Sequence, residues 1–113
     1  MASASLTEAL DLARSGDTVL YVARSQAHSR VNMAEAAEVA TDAARVRRTA
    51  GLERIEFQNG GRLTFRSYRP THAVRGLSLD AAYVPADVWS EGLAYEIAPS
   101  FAAKARGYNV ITY

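Results

Sequence analysis

Cysteine is absent from the 113 residues, which excludes disulfides, thiolate metal sites and cysteine nucleophiles together. No apolar run approaches the roughly 20 residues that a membrane helix needs. The amino terminus also lacks the basic-then-apolar order of a signal peptide, so a cytoplasmic location is expected. Lysine is nearly missing, Lys104 being its one occurrence among 13 basic residues. Histidine is limited to His28 and His72, far apart and without a carboxylate at ligand spacing, so neither a metal site nor a cofactor is expected. A Ser-His-Asp set can be assembled on paper from His72, Asp80 and one of many serines, yet no nucleophile-elbow pattern accompanies it. The net charge of +1 is not that of a dedicated nucleic-acid binder.

What is present fits an ordinary globular protein, with 49% hydrophobic and 22% charged residues. The length suits a single domain, 1–113, with one core. Charge is unevenly placed. Arg24 to Arg75 holds ten arginines against Glu35, Glu38, Asp42, Glu53 and Glu56, and Gly76 onward holds four acids against Lys104 and Arg106.

Ser5-Leu6-Thr7-Glu8 has capping-box spacing, and Leu6, Ala9, Leu10 and Ala13 recur at helical intervals. A helix over about 6–15, closed by Gly16, follows. Thr18 to Ala23 is a nearly continuous apolar run rich in β-branched and aromatic residues, the pattern of an interior parallel strand over 18–23. Met33, Ala36, Ala37, Ala40 and Ala44 then repeat at three and four, predicting a helix over 26–48. Arg45, Arg47 and Arg48 in its last turn would meet the negative end of the helix dipole.

Glu53 to Ser67 reads as a β-hairpin, 53–58 and 62–67, around Asn59-Gly60-Gly61. Pairing Phe57 with Leu63 and Ile55 with Phe65 keeps one face apolar, which implies a three-residue loop with Gly61 in the left-handed region and Arg54 opposite Arg66. Tyr68 to Ser78 reads as a loop containing Arg75-Gly76. A strand over 80–84, a helix over 88–105 capped by Asp87 or Ser90, and a strand over 109–113 complete the chain. The fold class is therefore α/β: a three-layer-type parallel sheet core of strands 18–23, 80–84 and 109–113, with the antiparallel hairpin at one edge.

The run from Glu53 to Tyr113 resembles the ATPase domain of phage terminase large subunits, P-loop NTPases with a RecA-like core. The resemblance rests on the hairpin with Asn59-Gly60 and Arg62-Leu-Thr-Phe65, on Arg75-Gly76 followed by Asp80, on the strand at 81–84, and on Ala98-Pro99-Ser100-Phe101-Ala-Ala103. It implies a Walker A loop ahead of the first helix, where residues 1–5 hold neither glycine nor lysine. It also places the metal-positioning and water-activating carboxylates at Pro85 and Ala86, neither of which can bind magnesium or take a proton. Asp80 lies at the other end of the strand, and Asp87 reads as a helix cap. The expectation is a degenerate, truncated P-loop NTPase-like domain without nucleotide binding or catalysis, phage-encoded, that acts by protein contact as a structural, regulatory or host-interfering factor.

In such a core the missing Walker A strand would stand beside strand 109–113, which leaves Val110, Ile111, Thr112 and Tyr113 as an open apolar edge. A homodimer, or strand addition to another protein, is expected there. Two alternatives stay open. The chain is a DNA-binding accessory protein using Arg45, Arg47, Arg48, Arg54, Arg62, Arg66 and Arg75, or a fragment whose missing half another chain supplies.

Overall fold

The computed structural model describes residues 3–49, 53–68, 79–89 and 110–113. Helix α1 spans Ala4–Arg14, with the Ser3 hydroxyl accepting from the Leu6 N–H at 3.2 Å. The helix thus begins before the expected box, and Ser5 shares a hydrogen bond with the Tyr21 hydroxyl at 2.7 Å. Gly16, at φ +104°, turns the chain out of α1. The N–H groups of Gly16 and Asp17 return to Ala13 and Leu12, satisfying carbonyls that the helix end leaves open.

Strand β1 is Thr18–Ala23. Helix α2 is Gln26–Val39, capped by Ser25, whose hydroxyl accepts from the His28 N–H at 3.1 Å. Then follow strands β2 (Arg45–Arg47), β3 (Arg54–Glu56), β4 (Arg62–Ser67), β5 (Ala81–Val84) and β6 (Val110–Thr112). The helix expected over 88–105 lies outside the described residues apart from Val88 and Trp89, and Arg75 lies outside them as well.

The strands form one mixed sheet in the order β2-β3-β4-β1-β5-β6. β4, β1, β5 and β6 run parallel, while β2 and β3 join antiparallel beyond β4. Alternation splits the sheet into two faces. Val19, Tyr21, Ile55, Leu63, Phe65, Ala81 and Tyr83 pack against Leu6, Ala9, Leu10 and Ala13 of α1 and Met33 and Ala36 of α2. Leu20, Val22, Ala82 and Val84 form a second buried cluster on the opposite face, with Leu79 and with Tyr68, Val88, Trp89 and Val110 against it. The third layer implied by the sequence would be the 88–105 helix, which falls outside the described residues.

Three expectations are corrected. α2 ends at Val39, and Arg45, Val46 and Arg47 form β2 instead of a helical last turn. The Ala44 N–H donates to the Glu56 carbonyl, and Val46 lies opposite Ile55, so pairing with an open strand edge overrides helical propensity. Asp42, in the turn between, receives Arg14 Nε at 2.9 Å.

The hairpin register is shifted by two residues: Ile55 faces Leu63, and Arg54 faces Thr64 where Arg66 had been expected. A two-residue shift leaves every side chain on its expected face, so the apolar pattern cannot distinguish the two pairings. The loop is three residues long, as expected, but consists of Gln58, Asn59 and Gly60, and the left-handed glycine is Gly60 at φ +91°. Gly61 is required for a different reason. A Cβ there would lie 1.8 Å from the Ala13 carbonyl oxygen. Asn59 ties the same junction, with Nδ2 donating to the Arg14 carbonyl at 2.7 Å and Oδ1 accepting from the Gly61 N–H at 3.1 Å.

The two adjacent glycines should therefore differ. Gly60→Ala meets nothing within 4 Å and should cost about 1–2 kcal/mol of backbone strain. Gly61→Ala must displace backbone and should cost about 3 kcal/mol or more. Urea unfolding of both variants measures the order, and equal losses would show that the hairpin does not pack on α1 in this way.

Candidate functional site

In open α/β sheets, ligands bind outside the carboxyl ends of the strands where successive connections leave in opposite directions. Here the chain leaves β1 through α2 toward β4 on one side, while β6 lies beyond β5 on the other. The crevice between the ends of β1 and β5 is the corresponding place. A cavity of about 90 Å³ is found there, lined by Ala23, Arg24, His28, Asn32, Pro85 and Tyr113.

Each wall has a local cause. Ser25 caps α2, and its hydroxyl shares a 2.8 Å hydrogen bond with His28 Nδ1. Arg24, just past β1, donates Nε to Asp87 at 2.8 Å. That hydrogen bond holds the Asp87 carboxyl below the usual carboxylate range and leaves it a poor proton acceptor. Val84 and Ala86 are closed by backbone bonds, with the Tyr113 N–H donating to the Val84 carbonyl at 3.0 Å and the Ala86 N–H donating to the Tyr113 carbonyl at 2.8 Å. The Tyr113 ring lies 4.8 Å from that of Tyr21, and its hydroxyl donates to the Val22 carbonyl. Protein atoms thus fill much of the crevice.

Tyr21 also stacks on Tyr83 at 5.7 Å, and the Tyr83 hydroxyl donates to Glu8 Oε1 at 2.7 Å. Burial pushes the hydroxyls of Tyr83 and Tyr113 well above the ordinary tyrosine range; the acceptor Glu8 adds to the shift of Tyr83, and Tyr21 to that of Tyr113. Among the described residues no three His, Asp or Glu side chains gather as a metal would require. No helix among them is long and apolar enough to cross a membrane.

The arginines singled out from the sequence are sorted by the sheet. Arg45, Glu56 and Arg62 lie in one cross-strand row, and Arg47, Arg54 and Thr64 in the next, all on the face opposite α1 and α2. Glu56 is shared between Arg47 at 3.6 Å and Arg54 at 3.4 Å. Arg66 is half-buried and donates to the carbonyls of Phe65 and Glu53 at 2.7 and 3.4 Å. Burial, with Arg54 nearby, lowers its affinity for the proton. Arg48 is exposed just beyond β2.

Nε of Arg47, Nε of Arg54, Oε1 of Glu53 and Oγ1 of Thr64 are buried without a hydrogen-bond partner. Each such group carries a penalty of about 1–3 kcal/mol. At the opposite flank Val110 and Ile111 are half-buried, and Thr112 and Tyr113 are exposed. β6 is the outermost described strand on that side.

The sequence did not single out Arg24, His28 or Asn32. The available signal was a polar stretch with a capping serine directly after an interior strand. No protein-family model, curated protein or solved structure matches the chain.

The tyrosine cluster has a measurable consequence. The fold favours the neutral form of Tyr83 and Tyr113, so their stabilising contribution is intact below about pH 10, the ordinary tyrosine value, and is lost as pH rises through their higher folded values. A near-ultraviolet absorbance titration should show a component of tyrosine ionisation delayed above the ordinary range, and Tyr83→Phe and Tyr113→Phe should each reduce it. Uniform ionisation around pH 10 would rule the packed cluster out.

Proposed function

We propose that the chain is a degenerate P-loop NTPase-like protein, terminase-like in its second half, that works without catalysis and acts through protein contact at strand β6. The observation that carries this reading is the carboxyl end of β5. The positions where the resemblance calls for carboxylates hold Pro85 and Ala86. The Ala86 N–H is bonded to the carbonyl of Tyr113, and the nearby carboxylate, Asp87, is held by Arg24. Among the described residues Asp87 is the carboxylate next to the carboxyl end of β5, and its pairing with Arg24 leaves it poorly placed to hold magnesium.

The strand order supports the same reading. β6 stands beside β5 at the flank where the resemblance puts the strand that bears the phosphate loop, and no described strand lies beyond it. In a strand, backbone groups alternate between the two neighbours. Tyr113 directs both its N–H and its C=O to β5 and its following loop, so Thr112 directs its own away from β5. Those outward groups, beside half-buried Val110 and Ile111, form a template for an added strand, and a second copy of the chain satisfies it by isologous pairing.

Size-exclusion chromatography with light scattering tests the interface. The wild type should run at twice the monomer mass. Thr112→Pro removes an outward donor without touching the β5–β6 bonds, so it should shift the population to monomer while leaving the circular dichroism spectrum unchanged. A wild-type monomer at every concentration would sink the β6 interface, and measurable ATP turnover would sink the non-catalytic assignment.

A further inference from the structure

We propose that the antiparallel flank of the sheet, on the face turned away from α1 and α2, is a landing surface for a phosphodiester backbone, with Arg45 and Arg62 as its contacting cations. The inference is independent of the β6 interface at the other edge.

The first ground is charge. Residues 45–66 contain six arginines and two glutamates, a net +4 in a chain whose total is +1. The remainder of the sequence is therefore net −3, so the positive excess belongs to this segment.

The second ground is registry. β2, β3 and β4 bring four of these arginines, Arg45, Arg47, Arg54 and Arg62, into two adjacent rows on one face. Neighbouring strands stand about 4.8 Å apart, and same-face residues along a strand about 6.7 Å apart. The result is a lattice of guanidinium groups at separations that one extended polyanion can span.

The third ground is incomplete neutralisation. Glu56 is the one acid in the two rows, and its carboxylate is divided between Arg47 and Arg54 at 3.6 and 3.4 Å, both long contacts. Nε of Arg47, the atom that meets Glu56, and Nε of Arg54 are buried, so the charge open to a ligand is that of exposed Arg45 and half-buried Arg62. Arg45 and Arg62 have no ion pair among the described residues.

The occupant follows from what the surface lacks. Val46, the exposed apolar residue of β2, belongs by alternation to the helix face, so the arginine rows offer no apolar anchor of the kind that protein interfaces rely on. What they do offer is repeated planar donors, which match phosphate oxygens. Arg45, Arg62 and the edge of the Arg47–Arg54 row supply position and charge without reading bases, so affinity should be insensitive to sequence.

Fluorescence anisotropy with labelled single-stranded and duplex oligonucleotides, between about 50 and 200 mM salt, tests this. Binding should weaken steeply with salt and be equal across sequences. Arg45→Ala and Arg62→Ala should each reduce the slope of log affinity against log salt by about one, whereas Arg45→Lys should retain it. Arg30→Ala, on the exposed side of α2, should leave it unchanged. Binding of only one oligonucleotide form would assign the backbone to that form. Because Arg45 is exposed on an edge strand, its alanine variant reads the slope without risk to the fold. The inference is overturned if neither form binds at the lowest salt, if the slope ignores Arg45 and Arg62, or if polyglutamate binds as tightly as the oligonucleotides.

Discussion

The residues Val19–Ala23 are buried, so their backbone amide groups must be satisfied within the protein, chiefly by neighbouring strands. β4 and β5 meet that demand, the former over all six residues of β1 and the latter over Val19–Tyr21. Once β1 is central, much else follows. Its side chains must divide between two cores, and they do: Val19 and Tyr21 to the helix side, Leu20 and Val22 to the other. The polar entry to the strand must also be closed. The Thr18 N–H donates to Asp80 Oδ2 at 2.8 Å, the Asp80 N–H returns to the Thr18 carbonyl at 2.8 Å, and the Arg62 N–H donates to the Asp17 carbonyl at 3.0 Å. Asp80 thus holds the amino ends of β1 and β5 together.

The same constraint explains why the hairpin belongs to the sheet through β4. β3 has one partner of six-residue length available and takes it antiparallel, and its other edge is then covered by β2. The hairpin turn is pressed onto the end of α1, where Asn59 and Gly61 leave no room for a side chain. Arg14 closes the contact from the helix side, reaching Asp42 and lying 5.7 Å over the Phe57 ring. Helix, turn and edge strand are one mechanical unit.

Much of this was legible in the residues. The continuous apolar runs at β1 and β5 mark strands buried on both faces, and the alternation around Asn59-Gly60 marks a hairpin. What was not legible has physical causes. Face alternation fixes register only to the nearest two residues, so Ile55 opposite Leu63 and Ile55 opposite Phe65 look alike. Arg45-Val46-Arg47 suits a helix end by charge and a strand by alternation, and only the open edge of β3 decides between them. The crevice combines residues from β1, α2, the β5 loop and Tyr113, which no local window contains. Nor can a sequence show that Glu56 occupies Arg47 and Arg54 while Arg45 and Arg62 have no ion pair among the described residues.

The crevice and the edge are linked by Tyr113. Its ring on Tyr21 and its backbone on Val84 and Ala86 pull the end of β6 across the carboxyl end of the sheet. A ligand bound at the carboxyl end of an open α/β sheet needs that space open. Here the Tyr113 ring, packed on Tyr21 with its hydroxyl bonded to the Val22 carbonyl, takes the place. Pro85 is buried beside this closure and Ala86 is exposed, so a carboxylate at 85 would be desolvated there. Packing at Tyr113 and an apolar residue at 85 are therefore two sides of one arrangement, which closes the carboxyl end of β1, β5 and β6.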